Sequence, residues 1–175
     1  MEIVSGYQKK CKNRTAGLKS LWLLKYVPYS RSEVITQGNI LLSIPNTYIY
    51  KFDSLQNPAV VETMIQNESG KYYESTITLF FSGSEKNEIE ILQKIETRML
   101  TLDNNGIYKI HGLQNGLQGG TINYVTGGSK PDFNGFKRDL TGMEEKESFF
   151  VEDPFNKGFI INTGKNLNYL LNFNI

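Results

Sequence analysis

The chain has 175 residues, with 39% hydrophobic residues, 21% charged residues and a formal net charge of +1. This length suits a single domain, and the composition is typical of a globular protein rather than a disordered one. A near-neutral charge gives no general attraction to nucleic acid or to anionic membranes. A single cysteine excludes an intrachain disulfide. One cysteine and one histidine together also fall short of the about four Cys or His ligands that a structural zinc site needs.

No segment has the hydrophobic character of a membrane span or a signal peptide. The longest apolar run is Leu21 to Leu24, whereas a spanning helix needs roughly 20 apolar residues. Residues 1–12 carry no apolar run that suits secretion. We therefore expect a protein that is made and kept in the cytosol and has no membrane partner.

The first half of the chain has the residue pattern of β-strands separated by Gly, Asn and Asp turns. The predicted strands are 19–27, 46–52, 60–66 and 71–81. In the last of these, Ile77 and Leu79 alternate with threonines, which predicts a strand with one buried face. The turn residues 67–70 (Asn-Glu-Ser-Gly) predict that the third and fourth strands form a hairpin.

The middle of the chain changes its period. Apolar residues recur at intervals of three and four, at Ile89, Leu92, Ile95 and Met99. This spacing predicts an amphipathic helix over about 84–99. Acidic residues lie near its start and basic residues near its end, an order that complements the helix dipole. The segments that follow are predicted as strands at 100–102, 107–111, 121–126 and 136–143, with a turn at 103–106 and a loop at 127–135.

The C-terminal segment differs from the rest because it mixes asparagine with many apolar residues. The apolar positions are Phe155, Phe159, Ile160, Ile161, Leu167, Tyr169, Leu170, Leu171 and Phe173. Such a segment must bury its side chains on its own body or on a neighbour. We predict a β-rich domain over 1–153, beginning with an N-terminal arm at 1–18. A C-terminal arm over 154–175 is predicted to contact an adjacent subunit.

Few residues are candidates for catalysis. His111 could act as a general base, but a lone histidine beside a turn is far more often structural. Cys11 could act as a nucleophile, but a Cys–His pair also needs an orienting group and a shaped pocket. The glycines at 116–120 lack the lysine and the Ser or Thr of a phosphate loop. We therefore predict that the protein is not an enzyme and holds no cofactor and no metal.

Four groups of residues together resemble a known family. The first is the opening at 11–23, with Ala16 where the family usually has glycine, and the second is the turn and aromatic strand at 67–79. The third is 86–89 (Lys-Asn-Glu-Ile), and the fourth is the series of Asn-Gly and Gly-Gly turns between 103 and 142. Their order and spacing resemble the tail tube and tail ring proteins of tailed double-stranded DNA phages that infect Bacteroidetes, including crAss-like phages.

Two departures from that family leave the exact tail component open. The family usually carries an aromatic pair where this chain has Lys109 and Ile110. The chain also continues past Asp153, where the family is expected to stop. A tube subunit, a ring or adaptor between portal and tail, and a tail hub protein are the alternatives.

The resemblance implies a mainly β fold: a tail-tube-like β-sandwich or barrel with one flanking helix and an extended C-terminal arm. It implies a virion structural protein of the tail, assembled in the host cytoplasm as a homo-oligomeric ring of six or twelve copies. Such rings would contact other tail, portal or ring proteins and form part of the conduit for genome delivery. Passing DNA would be touched only non-specifically.

Contacts between subunits are predicted at the hairpin strand 71–81 and at the C-terminal arm, because a ring removes exposed sheet edges by pairing them with the next copy. The predicted contact residues are Tyr72, Tyr73, Ile77, Leu79, Phe155, Phe159, Leu170, Leu171 and Phe173. A more distant alternative is a glycan-binding β-sandwich module. The tyrosines that motivate it are Tyr48, Tyr50, Tyr72 and Tyr73.

Overall fold

A computed structural model of the protein describes residues 15–54, 58–82, 90, 96–129 and 132–161. Within them the chain forms twelve β-strands and one short 3-10 helix, which spans Pro154–Asn156. The strands are β1 (Leu18–Lys25), β2 (Ile35–Gln37), β3 (Ile40–Ser43), β4 (Thr47–Phe52), β5 (Ala59–Asn67), β6 (Gly70–Ser82), β7 (Thr97–Asp103), β8 (Tyr108–His111), β9 (Gln118–Thr126), β10 (Asn134–Glu144), β11 (Phe149–Val151) and β12 (Phe159–Ile161).

These strands form two sheets in a sandwich-like, mainly β fold. The larger sheet has eight strands in the order β12-β4-β1-β7-β8-β11-β3-β2, and the smaller has four in the order β5-β6-β10-β9. Every pair in the smaller sheet is antiparallel. In the larger sheet β12 lies parallel to β4, and β11 lies parallel to β3.

The larger sheet is strongly curled. β3 and β4 are joined by residues 44–46 alone, yet they lie five strand positions apart in the sheet. In a flat sheet that separation is about 24 Å at the usual strand spacing of about 4.8 Å. Four residue steps from Ser43 to Thr47 span at most about 14 Å. The sheet therefore bends until its two ends approach each other, although no ladder among the described residues closes it into a barrel.

The two faces of β1 belong to two different cores. Leu21 and Leu23 face the smaller sheet and pack with Ile77 and other buried residues between the sheets. Trp22 and Leu24 point the other way, into the core enclosed by the curled sheet. All four β1 residues are buried. A strand that is buried on both faces reads as a continuous apolar run rather than an alternating one.

Most of the longer strand predictions are confirmed. The predicted segments at 19–27, 46–52, 60–66 and 71–81 correspond to β1, β4, β5 and β6. β5 and β6 form the predicted hairpin, closed by the pair Asn67 and Gly70. β2, β3, β11 and β12 were not predicted, because each has only three or four residues and is too short to display a period.

The predicted helix over 84–99 is wrong at its C-terminal end. Residues 83–89 and 91–95 lie outside the described residues, whereas Thr97 to Met99 are the first residues of β7. Met99 fits the helical spacing but pairs with His111 of β8 and is buried between the sheets. Tertiary pairing therefore overrides the local period. The predicted flanking helix is not among the elements that the described residues form.

The predicted boundary after residue 153 is also misplaced, because residues 154–161 belong to the body. β12 pairs with β4, and Phe159 is buried inside the curled sheet. Gly158 permits this close approach: its φ is +103°, and a Cβ there would lie 2.4 Å from the Ile44 carbonyl oxygen. The sequence allowed this apolar segment to bury its side chains on its own body or on a neighbour, and Phe159 is buried in the chain's own core. The rest of the predicted arm, 162–175, and most of the N-terminal arm, 1–14, lie outside the described residues.

Candidate assembly site

The smaller sheet has two long edges. β5 and β9 are its outer strands, and each has nine residues. Within the described part of the chain, neither strand has a second strand beside it. A sheet edge presents a row of backbone N–H and C=O groups that can pair with another chain. β5 and β9 are therefore candidate pairing strands.

The composition of these strands does little to prevent such pairing. Natural sheet edges are commonly protected by charged residues, especially lysine, or by proline. β9 (Gln-Gly-Gly-Thr-Ile-Asn-Tyr-Val-Thr) contains neither. β5 carries one charged residue, Glu62, and its carboxylate is turned inward, where it accepts hydrogen bonds from Ser75 and Ser148. An inward-facing charge is itself a common edge protection, so in composition β9 is the less protected of the two edges.

The outer face of the smaller sheet combines threonines and a few charged residues with exposed apolar side chains, among them Val61, Val125 and Met143. Because Ile77 and Leu79 are buried beneath β6, the alternation of a strand places Thr76 and Thr78 on the opposite, outer face. The strand register adds these residues to that face: Thr63, Glu74, Lys137, Asp139, Thr141 and Asn123. The charged residues among them are one base and two acids, and the Thr78 hydroxyl donates to Asp139 at 2.7 Å.

A chain of polar side chains crosses between the two sheets. The Ser148 hydroxyl lies 2.7 Å from His111 Nδ1, and the Thr101 hydroxyl lies 3.1 Å from His111 Nε2. Glu62 of β5 accepts hydrogen bonds from the Ser148 hydroxyl and from the Ser148 amide, the latter at 2.9 Å. We call these four residues the inter-sheet polar link. It joins the edge strand β5 to β7 and β8.

The geometry of the link suits structure better than catalysis. His111 is only 3% exposed. The carboxylate of Glu62 is bonded to the serine, whereas in a hydrolytic triad the acid is bonded to the histidine and orients it. Both ring nitrogens of His111 lie against buried hydroxyls, which satisfies a neutral imidazole. The second catalytic candidate, Cys11, lies outside the described residues.

Burial and hydrogen bonding together determine the ionisation of the link. Burial lowers the pKa of His111 from 6.5 to about 4, and Glu62 opposes this shift while Lys109 adds to it. Burial raises the pKa of Glu62, but hydrogen bonds from Ser148 and the charge of Lys109 outweigh it, so this pKa lies below 4.5. At neutral pH the link therefore contains a neutral imidazole and a charged carboxylate.

Arg98 forms a second buried polar centre. Its guanidinium stacks between the rings of Tyr26 and Tyr29, at 4.4 and 4.1 Å from their centroids. Its Nε donates to the Leu113 carbonyl at 2.9 Å, and its Nη2 donates to the Val27 carbonyl at 2.7 Å. Burial lowers the pKa of Arg98, although an arginine stays charged in proteins. No local pattern predicts this role, because Val27 is 71 positions away from Arg98 in the chain.

The loop between β8 and β9 is fixed by Glu144 at the end of β10. Its carboxylate accepts hydrogen bonds from the amides of Gln114 and Asn115, at distances of 2.8 to 3.2 Å. Burial raises the pKa of Glu144, and the two amides oppose that shift. Tyr26 adds a further bond from its hydroxyl to the Gln114 carbonyl at 2.6 Å. The loop is therefore held from both sheets.

A pocket of about 320 Å³ lies on the larger sheet at the start of β4. Its walls include three tyrosines and two prolines: Tyr29, Tyr48, Tyr50, Pro28 and Pro45. We call it the tyrosine pocket. The Tyr29 hydroxyl is hydrogen-bonded to the Thr47 hydroxyl at 2.7 Å, which fixes one wall. Of the four tyrosines considered for glycan binding, only Tyr48 and Tyr50 line this pocket.

Three of the predicted contact residues are inaccessible to a neighbour. Ile77 and Leu79 lie in the core between the sheets, and Phe159 lies in the core of the curled sheet. Their apolar character reflects the chain's own packing. The strand that carries the first two, β6, pairs with β5 on one side and with β10 on the other. The free edge of the predicted hairpin is therefore β5 and not β6.

The other predicted contact residues are partly exposed or undescribed. Tyr72 and Tyr73 are half-buried on β6. Phe155 is 41% exposed, with its ring edge-on to Trp22 at 6.2 Å between centroids. Leu170, Leu171 and Phe173 lie outside the described residues. The exposed edge strand β9 and its Tyr124 were not among the predicted contact residues, although the strand's uncharged composition is a signal that the sequence carries.

The described residues contain no group of three or more His, Cys, Asp or Glu residues that could hold a metal ion. They also contain no helix with the length and apolar character that crossing a membrane requires.

The chain matches no protein family model, no curated protein and no solved structure. Function is therefore inferred from the sheet edges, the polar link and the tyrosine pocket, together with the resemblance of the sequence motifs.

Proposed function

We propose that this protein is a structural subunit of a phage tail that assembles into homo-oligomeric rings. The observation that carries the proposal is the pair of nine-residue edges, β5 and β9, on opposite sides of one antiparallel sheet, neither of which has a further strand beside it among the described residues. The sequence motifs that resemble tail tube and tail ring proteins supply the biological setting. The protein would be incorporated in the virion tail after assembly in the host cytoplasm.

The strand directions of the smaller sheet suit a ring. Its four strands alternate in direction, so the first strand, β5, runs opposite to the last strand, β9. When copies are related by rotation about an axis along the strands, β9 of one copy meets β5 of the next as an antiparallel pair. This interface is heterologous and closes when the rotation closes. Six or twelve copies are the ring sizes that we propose.

The outer face of the smaller sheet would then line the conduit. Its threonines and its nearly balanced charges offer DNA neither a basic surface nor a strongly acidic one. Since phosphate contacts dominate DNA affinity, a face with few bases lets DNA pass without being held. The protein needs no catalytic group for this role. The tail tube, a ring or adaptor next to the portal, and the tail hub remain the alternative positions.

The purified full-length protein tests this proposal by native mass spectrometry and electron microscopy of stained particles. We expect rings of six or twelve copies, and the copy number would distinguish a tube subunit from a ring next to the portal. A protein that stays monomeric at all accessible concentrations, or that forms only dimers, would contradict the proposal.

A matched pair of variants tests the role of the edges. Val61→Lys with Val125→Lys places one lysine on each edge strand, with its side chain on the outer face. Thr76→Lys with Met143→Lys adds the same charge to the outer face of the two central strands. We expect the edge variant to raise the concentration for half-assembly at least about tenfold, equivalent to about 1.4 kcal/mol. The central variant should assemble normally.

A glycan-binding module is the second candidate, and the tyrosine pocket is the observation that favours it. Aromatic rings and a few polar groups around a small pocket are common features of ligand sites. Binding of the isolated monomer to a glycan array, lost on Tyr48→Ala, would favour this candidate. The absence of binding across the array would exclude it.

A further inference from the structure

The edge strand β9 contains a β-bulge that divides its free edge. Ile122 pairs with Arg138 and Gly119 pairs with Leu140, so three residue steps of β9 match two steps of β10. A bulge leaves an extra residue unpaired and bends the strand locally. The part of β9 that continues a regular edge, to which a partner strand can pair, is therefore the segment 122–126.

The bulge is built into the fold of the monomer by two glycines. A Cβ at Gly119 would overlap Nη2 of Arg138, a residue that is buried under the sheet. A Cβ at Gly120 would lie 3.0 Å from the Asp139 carbonyl oxygen. The bulge is thus fixed by packing within one copy, so it limits the pairing segment before any partner arrives.

The faces of the two edge strands restrict how they can pair. On β5, Val60 packs towards the larger sheet and Glu62 bonds to it, so Val61 lies on the outer face. On β9, Ile122 packs towards the larger sheet, so Val125 lies on the outer face. When β9 of one copy and β5 of the next form a continuous sheet, outer residues lie opposite outer residues. The allowed registers therefore differ by steps of two residues.

Full pairing of the segment 122–126 leaves two of these registers. One sets residues 60–64 of β5 opposite that segment, and the other sets residues 62–66 opposite it. A further shift towards the start of β5 would place Pro58 opposite Thr126, and proline has no N–H to donate. A further shift the other way would run past the end of β5.

The strand pairs within one copy fix the level at which its two edges start. Ile122 pairs with Arg138, and Arg138 pairs with Leu79. Leu79 lies one residue beyond the pair of Thr78 with Ala59, which places it level with residue 58 of β5. A line drawn across the four strands from Ile122 therefore reaches the chain just before β5 begins.

The tilt of the strands in a closed ring distinguishes the two remaining registers. In the 60–64 register, Ile122 would pair with Met64 of the next copy, a stagger of six residues from Pro58. That stagger is about 20 Å along the strands for a sheet width of about 19 Å, so the strands would tilt by about 46°, close to the 35–45° typical of closed barrels. The 62–66 register has a stagger of eight residues and would require about 54°.

We propose that residues 122–126 of β9 pair with residues 60–64 of β5 in the next copy, with Val125 opposite Val61. This inference rests on the proposed ring-forming function and specifies the register of its interface. Val61 is 59% exposed and Val125 is 37% exposed. The register sets these two apolar side chains directly opposite each other, the arrangement in which cross-strand pairs stabilise a sheet.

Cysteine pairs in the full-length protein test this register, with Cys11→Ser as the background. The expected pairs are Val61→Cys with Val125→Cys on the outer face and Met64→Cys with Ile122→Cys on the opposite face. Successive pairs of an antiparallel ladder alternate between wide and close spacing. These two pairs are three steps apart, so one of them has the close spacing that suits a disulfide. Oxidation with copper–phenanthroline should give a ladder of covalent oligomers on denaturing gels without reductant.

Two further pairs are matched controls: Thr63→Cys with Val125→Cys, and Ala59→Cys with Val125→Cys. Each would lie directly opposite in a register shifted by two residues. In the proposed register they lie on diagonals of about 7–8 Å, too far for a disulfide, and should stay monomeric on the gel. Within one copy β5 and β9 are separated by β6 and β10, a distance of about 14 Å, so an intrachain disulfide cannot account for a ladder.

Two results would overturn the register: a stronger ladder from a control pair than from the expected pairs, or rings in which neither expected pair crosslinks. Electron micrographs of the same samples before oxidation distinguish this failure from failure of the proposed function. Rings that crosslink only through a control pair contradict the register and leave the ring intact. The absence of rings contradicts both.

Discussion

The two sheets of this protein differ in how completely the chain covers them. β1 and β7 at the centre of the larger sheet are buried on both faces, and the sheet curls so that its ends enclose a core. The smaller sheet is buried on one face only, where it packs against the larger sheet. Its outer face and both its edge strands carry exposed residues. In the proposed assembly, different surfaces would therefore stabilise the monomer and contact the next copy. The larger sheet and the layer between the sheets stabilise the monomer, whereas the edges of the smaller sheet are available to a partner.

The largest effect on the free energy of unfolding is expected for a substitution in the layer between the two sheets. Phe81 is buried and contacts Phe52, while its neighbour Phe80 lies on the outer face of the same strand. Phe81→Ala should lower the free energy of unfolding by about 3–5 kcal/mol, since it removes a buried ring and leaves a cavity. Phe80→Ala is the matched control and should cost clearly less. Urea denaturation of the two variants measures the contrast, and equal losses would contradict the division between the two faces.

The buried His111 should make stability depend on pH. Its folded pKa of about 4 lies below the ordinary 6.5, so between these values the unfolded chain binds a proton that the native chain does not. Stability should therefore be complete above pH 6.5 and fall as the pH is lowered towards 4, by about 3 kcal/mol in total. Below about pH 4 both states are protonated, and this contribution falls no further.

A variant isolates this contribution from the carboxylates. Burial raises the pKa of Glu144, so its contribution to the pH dependence of stability has the opposite sign to that of His111. The stability that Glu144 contributes is lost as the pH rises through its pKa in the folded protein. His111→Gln keeps hydrogen-bonding groups but removes the titrating ring. The difference in unfolding free energy between the native protein and this variant, followed from pH 7 to pH 4, should narrow as the pH falls. A constant difference would mean that His111 is not buried in its neutral form.

A smaller loss of stability is expected when the residue at the centre of the inter-sheet polar link is substituted. Ser148→Ala removes the hydroxyl that joins Glu62 to His111 Nδ1. The variant should lose about 1–3 kcal/mol, because buried polar groups are left without their partner. A double-mutant cycle with Glu62→Gln, measured by urea denaturation, should give a coupling energy of about 0.5–3 kcal/mol. Additive losses would show that the link does not act as a unit.

The sequence predicts the elements that local pattern determines. The hairpin of β5 and β6 has long alternating strands and a Gly turn, and both its strands and its turn are confirmed. The end of the helix at Met99 is wrong, because a strand partner 12 positions away, His111, decides the conformation there. The short β12 depends on a parallel pair with β4, which no local pattern reveals.

The candidate site is harder to predict from the sequence than the fold. Ile77 and Leu79 were expected at the subunit contact because the strand 71–81 was predicted to pair with the next copy, but both are buried between the two sheets and β6 lies between β5 and β10. The free edge at β9 depends on the order of strands in the smaller sheet, which local periodicity does not specify. Arg98, Glu62 and Ser148 acquire their roles from contacts that are distant in the chain.

The smallest effect on the unfolding free energy of the monomer is expected for a substitution in the edge strand β9. This prediction tests the difference between the two sheets. Val125 is exposed on the outer face, so Val125→Ser removes little buried surface. Its effect on the unfolding free energy, measured under conditions that keep the protein monomeric, should stay within about 0.5 kcal/mol. In the proposed ring β9 would pair with β5 of the next copy, so the variant should weaken assembly measured by native mass spectrometry. A loss of monomer stability as large as that of Phe81→Ala would show that β9 belongs to the core, and that the smaller sheet is not divided into a stabilising face and an assembling edge.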